Sequence, residues 1–262
     1  MKNNVKYLFK EKKYEKVLFV SDIHAPFQDN RAVRACISFG KWIKPDKIIF
    51  MGDVIDFYAI SSFNKDPIRA LGIQKEIDEA ISILKIFRKE FPKVEMDFIR
   101  GNHEKRLQSY LWKKASELSG LKNMNVPALL ELEKLNIKYH KSGRMKLRGI
   151  VIKHGDKVRK HSAYTARGEF SETGLSGLSA HTHRIGMHCR TNEGGRFFWY
   201  EIGCLCKLNA EYMEGKMPNW QQGFAIGYFK LGSAKCNIHI VPVLNGKAIC
   251  GTMEYYGINR RK

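Results

Sequence analysis

Five short stretches of the chain carry side chains able to bind a divalent cation. Asp22-Ile23-His24 sets a carboxylate and an imidazole two residues apart, and an extended segment puts both on one side. Gly52-Asp53-Val54-Ile55-Asp56 offers two carboxylates, Gly101-Asn102-His103 an amide and an imidazole, and His154 precedes Gly155. His181-Thr182-His183 repeats the two-residue spacing with a pair of imidazoles. Two aspartates (Asp22, Asp53), four histidines (His24, His154, His181, His183) and the Asn102 amide oxygen make seven donors without a thiolate. Such a set suits manganese, iron or zinc better than copper(I) or calcium. Seven donors exceed one tetrahedral set but fit two ions sharing a carboxylate, and Asp53 can give one oxygen to each. Paired ions of this kind activate water and stabilise a leaving oxygen in phosphoryl chemistry.

Taken singly, each motif has an ordinary reading. Asp22 and Asn102 suit turns, Asp53 and Asp56 suit a helix cap, and His154 suits a core position. Their placement argues otherwise, because four of the five directly follow a strand signal. Lys16–Val20 (KVLFV) leads to Asp22, Lys47–Met51 (KIIFM) to Asp53, Val94–Ile99 to Asn102, and Gly149–His154 ends on its own histidine. Open sheets present ligand-binding groups at such strand ends. Helical periodicity fills the gaps. Arg31–Lys44 is closed by Pro45, and Gly72–Phe91 carries apolar residues at Ile73, Ile77, Ile81, Leu84 and Phe87 before Pro92. A third helix, Glu104–Leu118, stops at Gly120.

After Glu169 no long helical period appears. Arg196–Ile202, Phe224–Leu231, Asn237–Leu244 and Lys247–Cys250 read as strands, and Asn245-Gly246 marks a hairpin turn. The chain has no internal repeat and no Pro/Gly linker. These signals predict one domain over 1–262 of α/β (α+β) class, with a basic N-terminal arm over 1–15.

The ordered set resembles the calcineurin-like metallophosphoesterase superfamily. The resemblance rests on Asp22-Ile23-His24, Gly52-Asp53-Val54-Ile55-Asp56, Gly101-Asn102-His103-Glu104, His154-Gly155 and His181-Thr182-His183. It implies a four-layer β-sandwich of two mixed sheets flanked by helices, with a two-metal centre at the strand ends. Asp22, His24 and His183 would hold one ion, and Asn102, His154 and His181 the other, with Asp53 between them. His103 would be the general acid that protonates the leaving oxygen, and Asp56 the carboxylate that orients it. A hydroxide bridging the ions would be the nucleophile. The ions implied are Mn²⁺ first, with Fe, Zn, Ni or Mg as other candidates. Two departures stand out. Phe57-Tyr58 follow Asp56 where the phosphoprotein phosphatase branch has Arg-Gly, and Ala180 replaces the glycine common before the His-x-His pair.

Composition narrows the substrate. With 46 Lys+Arg against 26 Asp+Glu in 262 residues, the formal charge is +20, which favours polyanions through counterion release. The 44% apolar content excludes a wholly disordered chain. No apolar run approaches a membrane span, and the Lys-rich start (Lys2, Lys6, Lys10, Lys12, Lys13, Lys16) has no signal-peptide core. A cytoplasmic protein without a membrane partner is expected, and nothing sets an oligomeric state. The six cysteines contain no CxxC pair, so reduced and mostly buried thiols are expected rather than a zinc ribbon or disulfide framework. Lys157, Arg159, Lys160, His161, Tyr164 and Arg167 form a basic segment between His154 and His181, and Arg184 follows His183. Arg159, Arg167 and Arg184 are the candidate phosphate contacts. Trp220 suits packing into the core with Phe224 better than base stacking, and Phe197–Tyr200 suits sheet packing. The leading expectation is a phosphodiesterase acting on nucleic acid, similar to stand-alone, phage-type members near the DNA-repair exonucleases. The alternatives are a phosphomonoesterase or cyclic-nucleotide phosphodiesterase on small esters, and a nucleic-acid-binding protein with a vestigial metal site.

Overall fold

Alternation along the first strand divides the protein into layers. In β1 (Tyr14–Val20), Leu18 and Val20 face one apolar cluster while Val17 and Phe19 face another, because successive side chains of a strand point to opposite faces. A strand buried on both faces needs cover on both, and the remaining elements supply it. The computed structural model describes residues 13–63, 72–209, 217–250 and 253–257.

The first half continues with α1 (Asn30–Ile43), β2 (Lys47–Phe50), α2 (Ile73–Glu90), β3 (Glu95–Ile99), α3 (Asn102–Lys114), α4 (Val126–Leu129), β4 (Ile137–His140), β5 (Arg144–Leu147) and β6 (Ile150–Lys153). Then come α5 (Tyr164–Thr173), β7 (Gly177–Ser179), β8 (Ile185–Asn192), β9 (Gly195–Ile202), β10 (Gly223–Lys230), β11 (Cys236–Leu244), β12 (Lys247–Cys250) and β13 (Met253–Tyr256). Two mixed sheets result, of order β13-β12-β11-β10-β1-β2-β3-β4 and β5-β6-β7-β9-β8. β1 to β4 are mutually parallel, and β10 runs antiparallel to β1. Helices α1, α2 and α3 cover the outer face of the large sheet through Phe39, Leu84, Phe87 and Leu107. Between the sheets, Phe19, Ile49 and Ile99 meet Ile152, Leu178 and Ile202. On the far side, α5 packs Ala166 against Trp199. No described helix is long and apolar enough to cross a membrane.

Several sequence expectations shift. α3 begins at Asn102 rather than Glu104, and it ends at Lys114, with a separate 3-10 helix over Ser116–Gly120. Strand β1 starts at Tyr14, so Tyr14 and Glu15 belong to the sheet rather than to the arm, whose residues 1–12 lie outside the described ones. The hairpin turn is as expected. Asn245 and Gly246 both have positive φ (52° and 74°), the geometry a two-residue β-turn requires. β4, β5, β7, β8 and β13 carried no sequence expectation. They are short, or, like β8, exposed along an edge.

One carboxylate ties the two central loops together. Glu104, in the first turn of α3, accepts the N–H groups of Gly101 (2.7 Å), Asp53 (2.9 Å), Val54 (2.9 Å) and Ile55 (3.4 Å) while buried. This closes the helix N-terminus and fixes the loop after β2 to the loop after β3. Glu104→Ala is expected to lower unfolding free energy by roughly 3–5 kcal/mol, since it leaves several buried N–H donors unpaired. Urea unfolding measures this, and a loss under about 1 kcal/mol would show that the loops hold without it.

Candidate metal centre

All five motifs stand just after strands, the fifth included. Asp22 follows β1, Asp53 follows β2, Asn102 follows β3, His154 follows β6, and His181 follows β7. Turning a side chain from a strand end into a common crevice bends the backbone sharply. Asp22, His24, Asp53, His181 and His183 all adopt left-handed φ values between 50° and 68°. That conformation costs a non-glycine residue about 1–3 kcal/mol, and such strain gathers at functional sites. Neighbouring bonds hold it in place. Asp22 N–H donates to the Gly52 carbonyl at 3.2 Å and His24 N–H to the Asp53 carbonyl at 2.9 Å. The loops also need glycine where they touch. A Cβ on Gly52 would fall 2.7 Å from Gly101 and 2.8 Å from His154 Nδ1.

The seven expected donors converge into two groups. Asp22, His24 and His183 form one; their atoms stand 3.0 Å apart between the two Nε2 nitrogens and 3.2 Å from His183 Nε2 to Asp22 Oδ1. Asp53, His154 and His181 form the other, with Asn102 Oδ1 at 2.8 Å and Asp53 Oδ2 at 3.1 Å from His154 Nε2. Asp53 Oδ2 also lies 3.8 Å from His24 Nε2, which places this carboxylate between the groups.

The bonds on the far side of each ring test whether cations fit here. His154 Nδ1 donates to the Met51 carbonyl at 2.9 Å, and His24 Nδ1 to Asp56 Oδ2 at 3.0 Å. A neutral ring with its proton on Nδ1 turns a lone pair inward from Nε2. Those lone pairs meet carboxylate and amide oxygens and one another, and Asp22 Oδ1 has no hydrogen-bond partner at all. Acceptors facing acceptors in a buried cluster call for cations at the centre, and the donor set fits divalent ions. Without them, protons serve. Burial pushes the His154 ring down, but Asp53 beside it prevails and raises it to about 9. His24 is likewise raised by Asp22 and Asp56 against its burial. Burial and the charge of His154 lower His181 to about 4, so its ring is neutral near pH 7.

Around this centre the structure refines the sequence reading. Asp56 was expected to orient His103. Its carboxylate is 3.0 Å from His24 Nδ1 and 3.4 Å from His103 Nδ1, while its backbone carbonyl takes the His103 Nδ1–H at 2.8 Å. Asp56 therefore serves both rings. Arg106, for which the sequence carried no expectation, donates to the Asp56 carbonyl (2.9 Å) and Oδ1 (3.1 Å) and to His103 Nε2 (3.0 Å). The i, i+3 spacing of His103 and Arg106 on α3 was the available signal. His103 Nε2 is also 3.7 Å from Asp53 Oδ2. Thr182 points away from its flanking histidines and donates to buried Glu201 at 2.8 Å, which anchors the pair from β9.

The arginine expectations divide. Arg184 Nε donates to the Asn219 carbonyl at 3.2 Å and Nη1 to the Arg159 carbonyl, so it braces two rim loops beside His183. Arg159 lies over α5, its guanidinium where a Cβ on Gly168 would fall. Arg167 is exposed, and its charge is felt by His188 on β8 rather than by a candidate ligand. Trp220 is half-buried with its ring 4.4 Å from that of His183, so it flanks the centre; only Phe224 enters the core. Phe197 to Tyr200 alternate across β9 as expected, with Trp199 fully buried. All six cysteines are free, but only Cys36, Cys204 and Cys206 are buried, fewer than expected.

The sequence profile of the calcineurin-like phosphoesterase family matches residues 15–186. The chain is 25% identical over 245 residues to the Gene 54 protein of Mycobacterium phage D29, covering 89% of this chain and 95% of that one. It is 25% identical over 252 residues to the Gene 54 protein of Mycobacterium phage L5, with the same coverage. Among solved structures, vacuolar protein sorting 29 of Cryptosporidium parvum aligns with TM-score 0.47 and 12% identity, over 94% of this chain and 100% of that one. The nuclease MPE of Pseudomonas putida aligns with TM-score 0.35 and 13% identity, over 87% of each chain.

Metal binding here should expel protons. Because the His154 ring holds its proton up to about pH 9 in the metal-free chain, apparent affinity should fall as pH drops below that value. The fall approaches about tenfold per pH unit for each proton displaced. Calorimetric titration with Mn²⁺ in two buffers of different ionisation enthalpy counts the protons. No release at pH 7 would contradict inward-facing, proton-bearing Nε2 atoms.

Proposed function

The chain belongs to the calcineurin-like phosphoesterase family, and on that premise we propose that it is a two-metal phosphodiesterase that cuts nucleic acid. The observation that carries this reading is the convergence of seven N and O donors beneath a rim of Arg106, Arg184 and Trp220. Asp22, His24 and His183 would hold one ion, Asn102, His154 and His181 the second, and Asp53 both. Manganese is the first candidate for this mixed N/O set, with iron and zinc beside it. When bound, the ions supply an activated water and neutralise charge on the phosphoryl group.

The chain's own residues supply the rest. Asp56 and the Met51 carbonyl fix the His24 and His154 rings through Nδ1, so that each presents Nε2. Arg106 is placed to donate to a non-bridging phosphate oxygen. Turning to that oxygen frees His103 Nε2, which takes a proton from solvent and gives it to the leaving oxygen. The charge of +20 favours a polyanionic substrate, and Trp220 offers a face on which a base can stack.

The test is cleavage of labelled single- and double-stranded DNA and RNA with Mn²⁺, beside Asp53→Ala. Cleavage that is lost in the variant and weakens steeply with salt supports the proposal. Intact polymers with hydrolysed nitrophenyl phosphates would redirect it to small phosphate esters. His103→Ala should retain metal while turnover on poor leaving groups falls about 10²–10⁴-fold. Loss of bound metal in that variant would make His103 a ligand rather than an acid.

A further inference from the structure

We propose that Cys204, Cys206 and the Nδ1 face of His183 form a site for one thiophilic divalent ion of the zinc or cadmium class, which shares His183 with the seven-donor set but uses its other ring nitrogen. Cys204 and Cys206 stand on either side of a bend at Leu205, which enters the outer core, and both thiols are buried beside His183. The three donor atoms lie within 4.8 Å of one another, and all three residues are buried.

The separations match ligands around an ion. Cys206 Sγ is 3.7 Å from His183 Nδ1, and Cys204 Sγ is 3.6 Å from the Gln221 carbonyl oxygen. Zinc bonds to sulfur and nitrogen near 2.3 and 2.0 Å put tetrahedral neighbours about 3.5 Å apart. Two sulfurs and one nitrogen supply three ligands, with the Gln221 carbonyl oxygen beside Cys204. His183 is shared, since its Nε2 faces Asp22 Oδ1 at 3.2 Å and leaves Nδ1 for the thiol side. Hard ions such as Mn²⁺ have little affinity for thiolate, so the site selects soft ions. Binding replaces two S–H bonds and the His183 Nδ1–H by bonds to the ion, and those protons pass to solvent.

The experiment titrates the metal-stripped full chain with Cd²⁺ and follows the thiolate-to-cadmium charge-transfer band. The band should saturate at one equivalent, disappear in Cys204→Ser and Cys206→Ser, and persist in Cys189→Ser, which removes the exposed thiol. It should also persist in Asp53→Ala, which keeps this proposal separable from the one on catalysis. A wild-type band that is absent, or unchanged in both serine variants, overturns the site. Cadmium NMR of the loaded wild-type chain gives an answer independent of variant folding. A resonance showing two sulfur ligands supports the proposal, and one showing only N and O ligation refutes it.

Discussion

Four backbone amides aimed at one buried carboxylate hold the centre of this molecule in register. Glu104 gathers the N–H groups of Gly101, Asp53, Val54 and Ile55, which come from two loops that nothing in the parallel ladder of β2 and β3 would otherwise align beyond their strand ends. Burial and the charge of Asp53 push this carboxyl up to about 7, while the amides favour its ionised form. Cations bound at the neighbouring centre would tip that balance toward the anion. Gly52 and Gly101 permit the loops to approach as closely as the clamp demands, since a side chain on either would occupy the space of the other loop.

From that fixed frame the strained residues follow. Five candidate ligands sit in left-handed backbone conformation, and each is bound to a neighbour that cannot move independently. The His181–His183 loop bonds back to β9 through Thr182 and Glu201, and His181 N–H reaches Asp22 Oδ2 at 3.2 Å. Strain is kept at strand ends, where the sheets have already used their hydrogen bonds. A cluster of inward acceptors at that point is unfavourable when empty of charge and would be favourable around cations.

The sequence made the candidate donors legible because they cluster in five short motifs, four of which directly follow an apolar strand signal. It also made legible the large helices α1 and α2, whose apolar faces repeat at helical spacing. What it hid has a common cause. Glu104 was read only as part of a motif, because three of its four amide partners lie some fifty residues away. Arg106, Thr182 and Cys206 act through contacts set by the packing of the two sheets, which no local pattern encodes. Cys204 and Cys206 lack zinc-finger spacing, and their third partner comes from another loop. Trp220 was assigned to the core on its apolar bulk, whereas the turn after residue 217 brings its ring against His183.

The missing arginine after Asp56 illustrates how a charge can be delivered by a different element. Phe57 is fully buried, so that position serves the core and has no route to a phosphate. Arg106 brings its guanidinium from α3 to the same aspartate, contacting both its carbonyl and its carboxylate. A guanidinium only donates, and the Asp56 carbonyl only accepts, so His103 between them carries its proton on Nδ1 and a lone pair on Nε2. In the resting chain the ring is therefore poised as an acceptor. A helix residue three positions beyond His103 thus brings positive charge to an aspartate whose two following residues, Phe57 and Tyr58, carry none.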